Sequence, residues 1–298
     1  MMKLALRVIA LTIILLISIA VAGGIVGLSD AAQTSEPAGR AALRLVAVCF
    51  LEVTVLTHLV VRSRWTGWRL MAAVFFVFYG VTTFMPQIES AVFLTRLPAG
   101  TVPRLFLMGA LIAAPFSVLA VLILGKGKAD TSDATPNSRL VMTTRNWAWK
   151  LTVIALAYLI LYFTFGYFIA WQNPAVLEYY RGVDEGAFLA HMGTVVRDTP
   201  WLIPFQIVRA LCWVALAFPV VRMLKGQWQE TALSLALLFA VVMNAQLLLP
   251  NPYMPEPVRM AHLVETASSN FILGWLIGWL LTQRRELPSG ELAKVDIG

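Results

Sequence analysis

Residues 257–271 read PVRMAHLVETASSNF, and the ten that follow, ILGWLIGWLL, carry no charge. A helix of ~25 residues at ~1.5 Å per residue crosses a hydrocarbon core of ~30 Å, yet this one would bring Arg259, His262, Glu265 and Asn270 with it. Ionisable groups are costly in lipid and turn toward protein or water. At ~100° per residue, Arg259, His262, Glu265, Thr266, Ser269 and Asn270 fall on one stripe. Met260, Leu263, Val264, Ala267, Phe271 and Ile272 fill the remaining arc, with Ser268 the polar exception. The segment reads as the last transmembrane helix, with one face toward a site and the other toward apolar neighbours or lipid.

The rest of the chain has the composition that such a helix needs around it. Of 298 residues, 59% are hydrophobic and 13% charged, which excludes an ordinary soluble domain. The net charge of +7 comes from Lys and Arg placed mostly between apolar runs, so it is read as a topology signal and not as a nucleic-acid surface. Cys49 and Cys212 sit within apolar segments and are expected as free thiols. Three histidines, His58, His191 and His262, without a repeated ligand motif, argue against a metal centre or a bound cofactor.

Taken in order, the expectation is an all-α polytopic membrane protein of about eight transmembrane helices in two parallel four-helix repeats. Residues 1–124 hold the first repeat, 125–148 a cytoplasmic linker, 149–283 the second repeat and 284–298 a cytoplasmic tail. The first run, Leu4 to Leu28, includes Ala20-Val21-Ala22, which fits the small-residue rule for signal cleavage; its length favours a retained helix. Helix 2 is expected near 41–61, helix 3 near 70–86 with Gln87 and Glu89 beyond its end, and helix 4 near 103–124. Helix 5 is expected at 149–171, its aromatic end (Tyr162, Phe163, Phe165, Tyr167, Phe168, Trp171) forming an interfacial belt. The loop 172–201 is long for a structureless connection and should hold one or two short surface helices. Helices 6 and 7 follow at 202–223 and 230–249.

Two patterns set the arrangement. Val8-Ile9-Ala10-Leu11 recurs as Val153-Ile154-Ala155-Leu156, Val60-Val61-Arg62 as Val220-Val221-Arg222, and Arg104 with Phe116 as Arg259 with Phe271, in the same order. An even number of helices per unit makes such a repeat parallel. Lys and Arg are distributed 15 to 8 between the two ends of the eight-helix layout, which places both termini in the cytoplasm of a bacterial-type plasma (inner) membrane.

In that topology Glu89, Arg104, Arg209, Asn244, Gln246, Arg259, His262 and Glu265 gather toward the extracytoplasmic side, with Asn270 further along the stripe, and Glu52 reaches mid-membrane. These residues are the candidate ligand-binding set, with His262 and Glu265 as a candidate acid–base pair, since a carboxylate one turn away orients an imidazole. An arginine among them could hold an anionic group. The reading that follows is binding, with or without transport, of a small polar or anionic solute or lipid through an outward pocket. The alternatives are an intramembrane enzyme acting on a lipid-linked substrate and a structural or assembly protein. Membrane lipid and a small-molecule or lipid ligand are the expected partners.

Overall fold

The computed structural model describes residues 2–27, 37–94, 97–128, 139–180, 182 and 186–283. The helices are α1 (Met2–Val26), α2 (Ala38–Arg62), α3 (Gly67–Tyr79), α4 (Met85–Phe93), α5 (Thr101–Ile123), α6 (Thr144–Phe165), α7 (Pro174–Tyr180), α8 (Phe188–Asp198), α9 (Leu202–Met223), α10 (Trp228–Leu237) and α11 (Glu256–Thr282). Wide π-turns at Gly80–Phe84, Gly166–Ala170 and Leu238–Val242 continue α3, α6 and α10. Among the described residues there is no strand, only one isolated antiparallel bridge between Ser63 and Leu224.

Seven helical segments are long and apolar enough to cross a membrane: Met2–Val26, Ala38–Arg62, Gly67–Phe93, Thr101–Ile123, Thr144–Ala170, Leu202–Met223 and Trp228–Leu248. Their outward faces are apolar, as lipid requires. Along α1, for instance, Ile9, Ile13, Ile17, Val21 and Ile25 recur every fourth residue and are each more than half exposed, while Leu11, Leu15 and Ala22 are buried. The eighth expected span, α11, has 27 residues and so the length to cross, but the stripe in its first half makes it less apolar than the seven.

Helix 3 departs from expectation, running through Pro86 to Phe93 where a stop at Pro86 was expected. Proline lacks an N–H and so leaves the carbonyl four residues earlier unserved; that carbonyl, on Thr82, accepts instead from Gln246 Nε2 at 3.5 Å. Gln87 and Glu89 are therefore on a helix, not beyond one. The loop 172–201 holds two short helices, α7 and α8, as expected. Of the expected linker, 129–138 lie outside the described residues, as does the tail 284–298. Arg139, just after that gap, is anchored on Leu224 O at 3.0 Å and Thr231 Oγ1 at 3.1 Å.

One apolar core runs through the bundle, with Trp213, Phe116 and Phe239 fully buried in it. In the first half α1 packs on α2 and α5, and α3 packs on α5; in the second α6 packs on α9 and α11, and α10 packs on α11. Across the halves α2 meets α10 and its π-turn, and α3 meets α9.

α10 and α11 approach one another backbone to backbone. A Cβ on Gly278 would lie 2.4 Å from Ala232 Cα, and one on Gly274 would lie 2.6 Å from Leu235 O. Small residues let helices touch backbone to backbone, and here the contact is with atoms that cannot rotate away. Gly278→Val should lower stability by about 3 kcal/mol, at the upper end of overpacking costs, measured by thermal unfolding in detergent. Gly24→Ala, where nothing stands within 4 Å, should be neutral in the same assay.

Candidate functional site

One cavity of about 400 Å³ is walled by α4, α6 and its π-turn at Gly166–Ala170, α9, α11 and residues 243–247, with α7 and α8 contributing from the connecting loop. A π-turn inserts one residue into the helical register, rotating the following side chains and releasing carbonyls from their usual donors. Asn244, two residues after such a turn, donates through Nδ2 to Phe239 O at 3.1 Å and Ala240 O at 2.9 Å. Its Oδ1 is thereby aimed at α11, where it accepts from Thr266 Oγ1 at 2.6 Å. Gln246 serves Met243 O at 3.1 Å as well as Thr82 O.

On the α4–α9 side, Arg209 makes two parallel hydrogen bonds to Glu89, at 3.1 and 2.7 Å, and a third to Gln206 Oε1 at 3.0 Å. The guanidinium side chain is 3% exposed and the carboxylate 31%, so the pair reaches from the packed interior to the cavity wall. Its fork geometry is the strong form of such a pair. Arg209 Nε and Gln206 Nε2 remain buried without a hydrogen-bond partner among the described residues.

On the α11 side a three-membered chain forms. His262 Nδ1 lies 2.7 Å from Glu265 Oε2, and His262 Nε2 lies 3.1 Å from the Tyr180 hydroxyl. An ionised carboxylate only accepts, so Nδ1 carries the proton. Burial pushes the Tyr180 phenol up, with the nearby Glu89, Tyr179 and Glu265 adding to the shift, so the hydroxyl stays protonated near neutral pH; it donates to Nε2 when the ring is neutral and accepts from it when both ring nitrogens carry protons. Gly166 stands beside the carboxylate: a Cβ there would lie in ordinary contact, 3.4 Å from Glu265 Oε1.

Of the ten candidates, His262, Glu265, Glu89, Arg209, Asn244, Gln246 and Asn270 line this cavity. Three lie elsewhere. Arg104 is exposed near the start of α5. Arg259 is buried but turns its donors to main-chain carbonyls, Leu247 at 2.8 Å, Leu249 at 2.5 Å and Met254 at 3.2 Å, and so clamps the turn that leads into α11. Glu52 is buried in α2 and makes no hydrogen bond or ion pair among the described residues. Asn270, at the inner end of the stripe, donates to Met243 Sδ at 3.0 Å.

Sequence reading missed the aromatic wall. Tyr162, Phe163, Tyr167 and Trp171 were assigned to an interfacial belt, and they line the cavity together with Tyr158, Tyr180 and His191; Phe168, from the same run, is 60% exposed as a belt residue would be. No group of three or more His, Cys, Asp or Glu suited to a metal ion occurs among the described residues. No protein-family model, curated protein or solved structure matches the chain.

Proposed function

We propose that this chain is an eight-span membrane protein which takes the head group of a lipid-like amphiphile or a small polar solute into the cavity, where His262, oriented by Glu265, performs acid–base chemistry on it. The observation that carries the reading is convergence: seven polar candidates from four separate segments meet in one cavity, while Glu52 and His58, which a passage across the membrane would need, are not in its lining. A blind pocket suits a binding or catalytic site better than a route. The relay Glu265–His262–Tyr180 supports the chemical part, because a carboxylate holding one ring nitrogen leaves the other to exchange a proton.

The two-unit arrangement belongs to the same proposal. Its support is the matched packing order, α1 with α6, α2 with α9, α3 with α10 and α5 with α11, and the placing of Arg104 and Arg259 each as the fourth residue of its helix. The main chain adds a reciprocal pair at the meeting point: Arg64 N donates to Met223 O and Lys225 N to Arg62 O, either side of the Ser63–Leu224 bridge. Such reciprocity is what a twofold relation between the ends of α2 and α9 produces.

Thiol labelling tests both parts. In a background without Cys49 and Cys212, Ser269→Cys should react with a membrane-impermeant reagent from the extracytoplasmic side, and Glu52→Cys should not. Reporters at Ser132 and at the C-terminus should both report cytoplasm. Labelling of Glu52→Cys from the same side as Ser269→Cys would replace the blind pocket with a passage, and reporters on opposite sides would overturn the eight-span layout.

A further inference from the structure

The cavity wall is mainly aromatic and apolar with a few polar groups, and the described residues leave it little positive charge to offer. Arg209 is neutralised by Glu89, Arg259 is spent on carbonyls and Arg104 is outside. What remains on the wall is the Glu265 carboxylate beside the His262 imidazole, so the described charged groups there sum to one negative charge with a neutral ring and to zero with a protonated one. Two of the four phenols in the lining have their hydroxyls committed, Tyr167 to Gly186 O and Tyr180 to His262 Nε2, which leaves their rings as the surface for a ligand. His191 lies 5.5 Å from Tyr167 and 5.6 Å from Trp171 by ring centroid, and Trp171 stacks at 6.4 Å against Tyr180. Aromatic faces beside a carboxylate attract cations, through the ring quadrupole and the charge together.

We propose that the head group taken by this cavity is cationic, a quaternary or protonated amine, seated against Trp171, Tyr167 and Tyr180 and facing Glu265. The proposal rests on the head-group reading above and adds to it the sign of the charge. It runs against the anionic ligand that arginines in the sequence point to, because the arginine which does reach the cavity arrives already paired.

The test uses the whole chain purified in dodecyl maltoside and two probes with the same tail, dodecyltrimethylammonium and dodecyl phosphate, with binding followed by native mass spectrometry and calorimetry. The ammonium should saturate one site and the phosphate should not. Glu265→Gln and Trp171→Ala should each weaken ammonium binding about tenfold, the size of one good cation–π or ion contact, and Trp171→Phe should recover most of it. Unchanged unfolding temperatures separate these effects from misfolding. Saturable phosphate binding that the pocket variants abolish would overturn the charge and leave the head-group site standing. Saturable binding of neither probe would overturn both, and ammonium binding indifferent to Glu265 and Trp171 would overturn the placement.

Discussion

Replacing Glu89 by Ala should destabilise the folded protein by about 3 kcal/mol, the lower end of what is lost when one partner of a buried ion pair is removed. The reason lies in the asymmetry of the pair. Arg209 is 3% exposed, and without Glu89 its charge would have, among the described residues, only Gln206 Oε1 as a hydrogen-bond acceptor. Its alternative neighbours, the rings of Tyr158 and Phe205 with centroids 5.9 Å from the guanidinium carbon, are too distant to replace a forked carboxylate. The reverse change, Arg209→Met, leaves behind a carboxylate that is 31% exposed and faces a cavity, so it should cost about 1–2 kcal/mol, chiefly for the lost partner of Gln206. The double variant should then be no worse than Arg209→Met alone, since the buried charge is gone. Urea or thermal unfolding of the three variants in one detergent measures all of this. Equal losses from the two single changes would mean that water reaches Arg209 and that the pair does not hold α4 to α9.

That pair also shows where sequence reading succeeds and where it stops. The span lengths and the lipid-facing stripes follow from one-dimensional patterns, because hydrocarbon thickness and a 3.6-residue period act locally. Gly274 and Gly278 stand four residues apart on one face of α11, and the structure identifies α10 as the helix that approaches them. Glu89 was expected beyond the end of a helix, because Pro86 ordinarily marks a boundary. The π-turn at Gly80–Phe84 and a side chain 164 positions from the carbonyl it serves, Gln246, let the helix continue, and no local pattern reports a donor supplied from that distance. Arg209 and Arg259 look alike in sequence, each in the first turns of an apolar helix. Their fates differ because one meets a carboxylate and the other a ring of free carbonyls. Tyr180 and His191 carried no signal at all; they become part of the site because α7 and α8 lie against its wall.

Replacing Glu265 by Gln should separate site from scaffold most sharply. Gln keeps the shape of the side chain and can still accept from His262 Nδ1, so the fold should lose little, about 1 kcal/mol or less for a neutral in place of a charged hydrogen bond. Function should lose far more. The imidazole would no longer have a fixed negative partner to stabilise its protonated form, and a positioned acid–base group contributes 10²–10⁴-fold to a rate. The matching control lies on the same helix. Leu273, three residues beyond Asn270, is fully buried, and truncation to Ala should cost 2–5 kcal/mol and lower the yield of folded protein. Phe271 is a poorer control than its place on the apolar arc promised, because at 38% exposed it looks outward beside Ile272, and a polar residue there is felt by lipid more than by packing. The informative comparison is therefore Glu265→Gln against Leu273→Ala, scored by unfolding temperature and by turnover or probe binding. If Glu265→Gln lowered stability as severely as Leu273→Ala, the His262 relay would be a brace between α11 and α7. If it left both stability and binding intact, the cavity would have to act through the Arg209–Glu89 side alone.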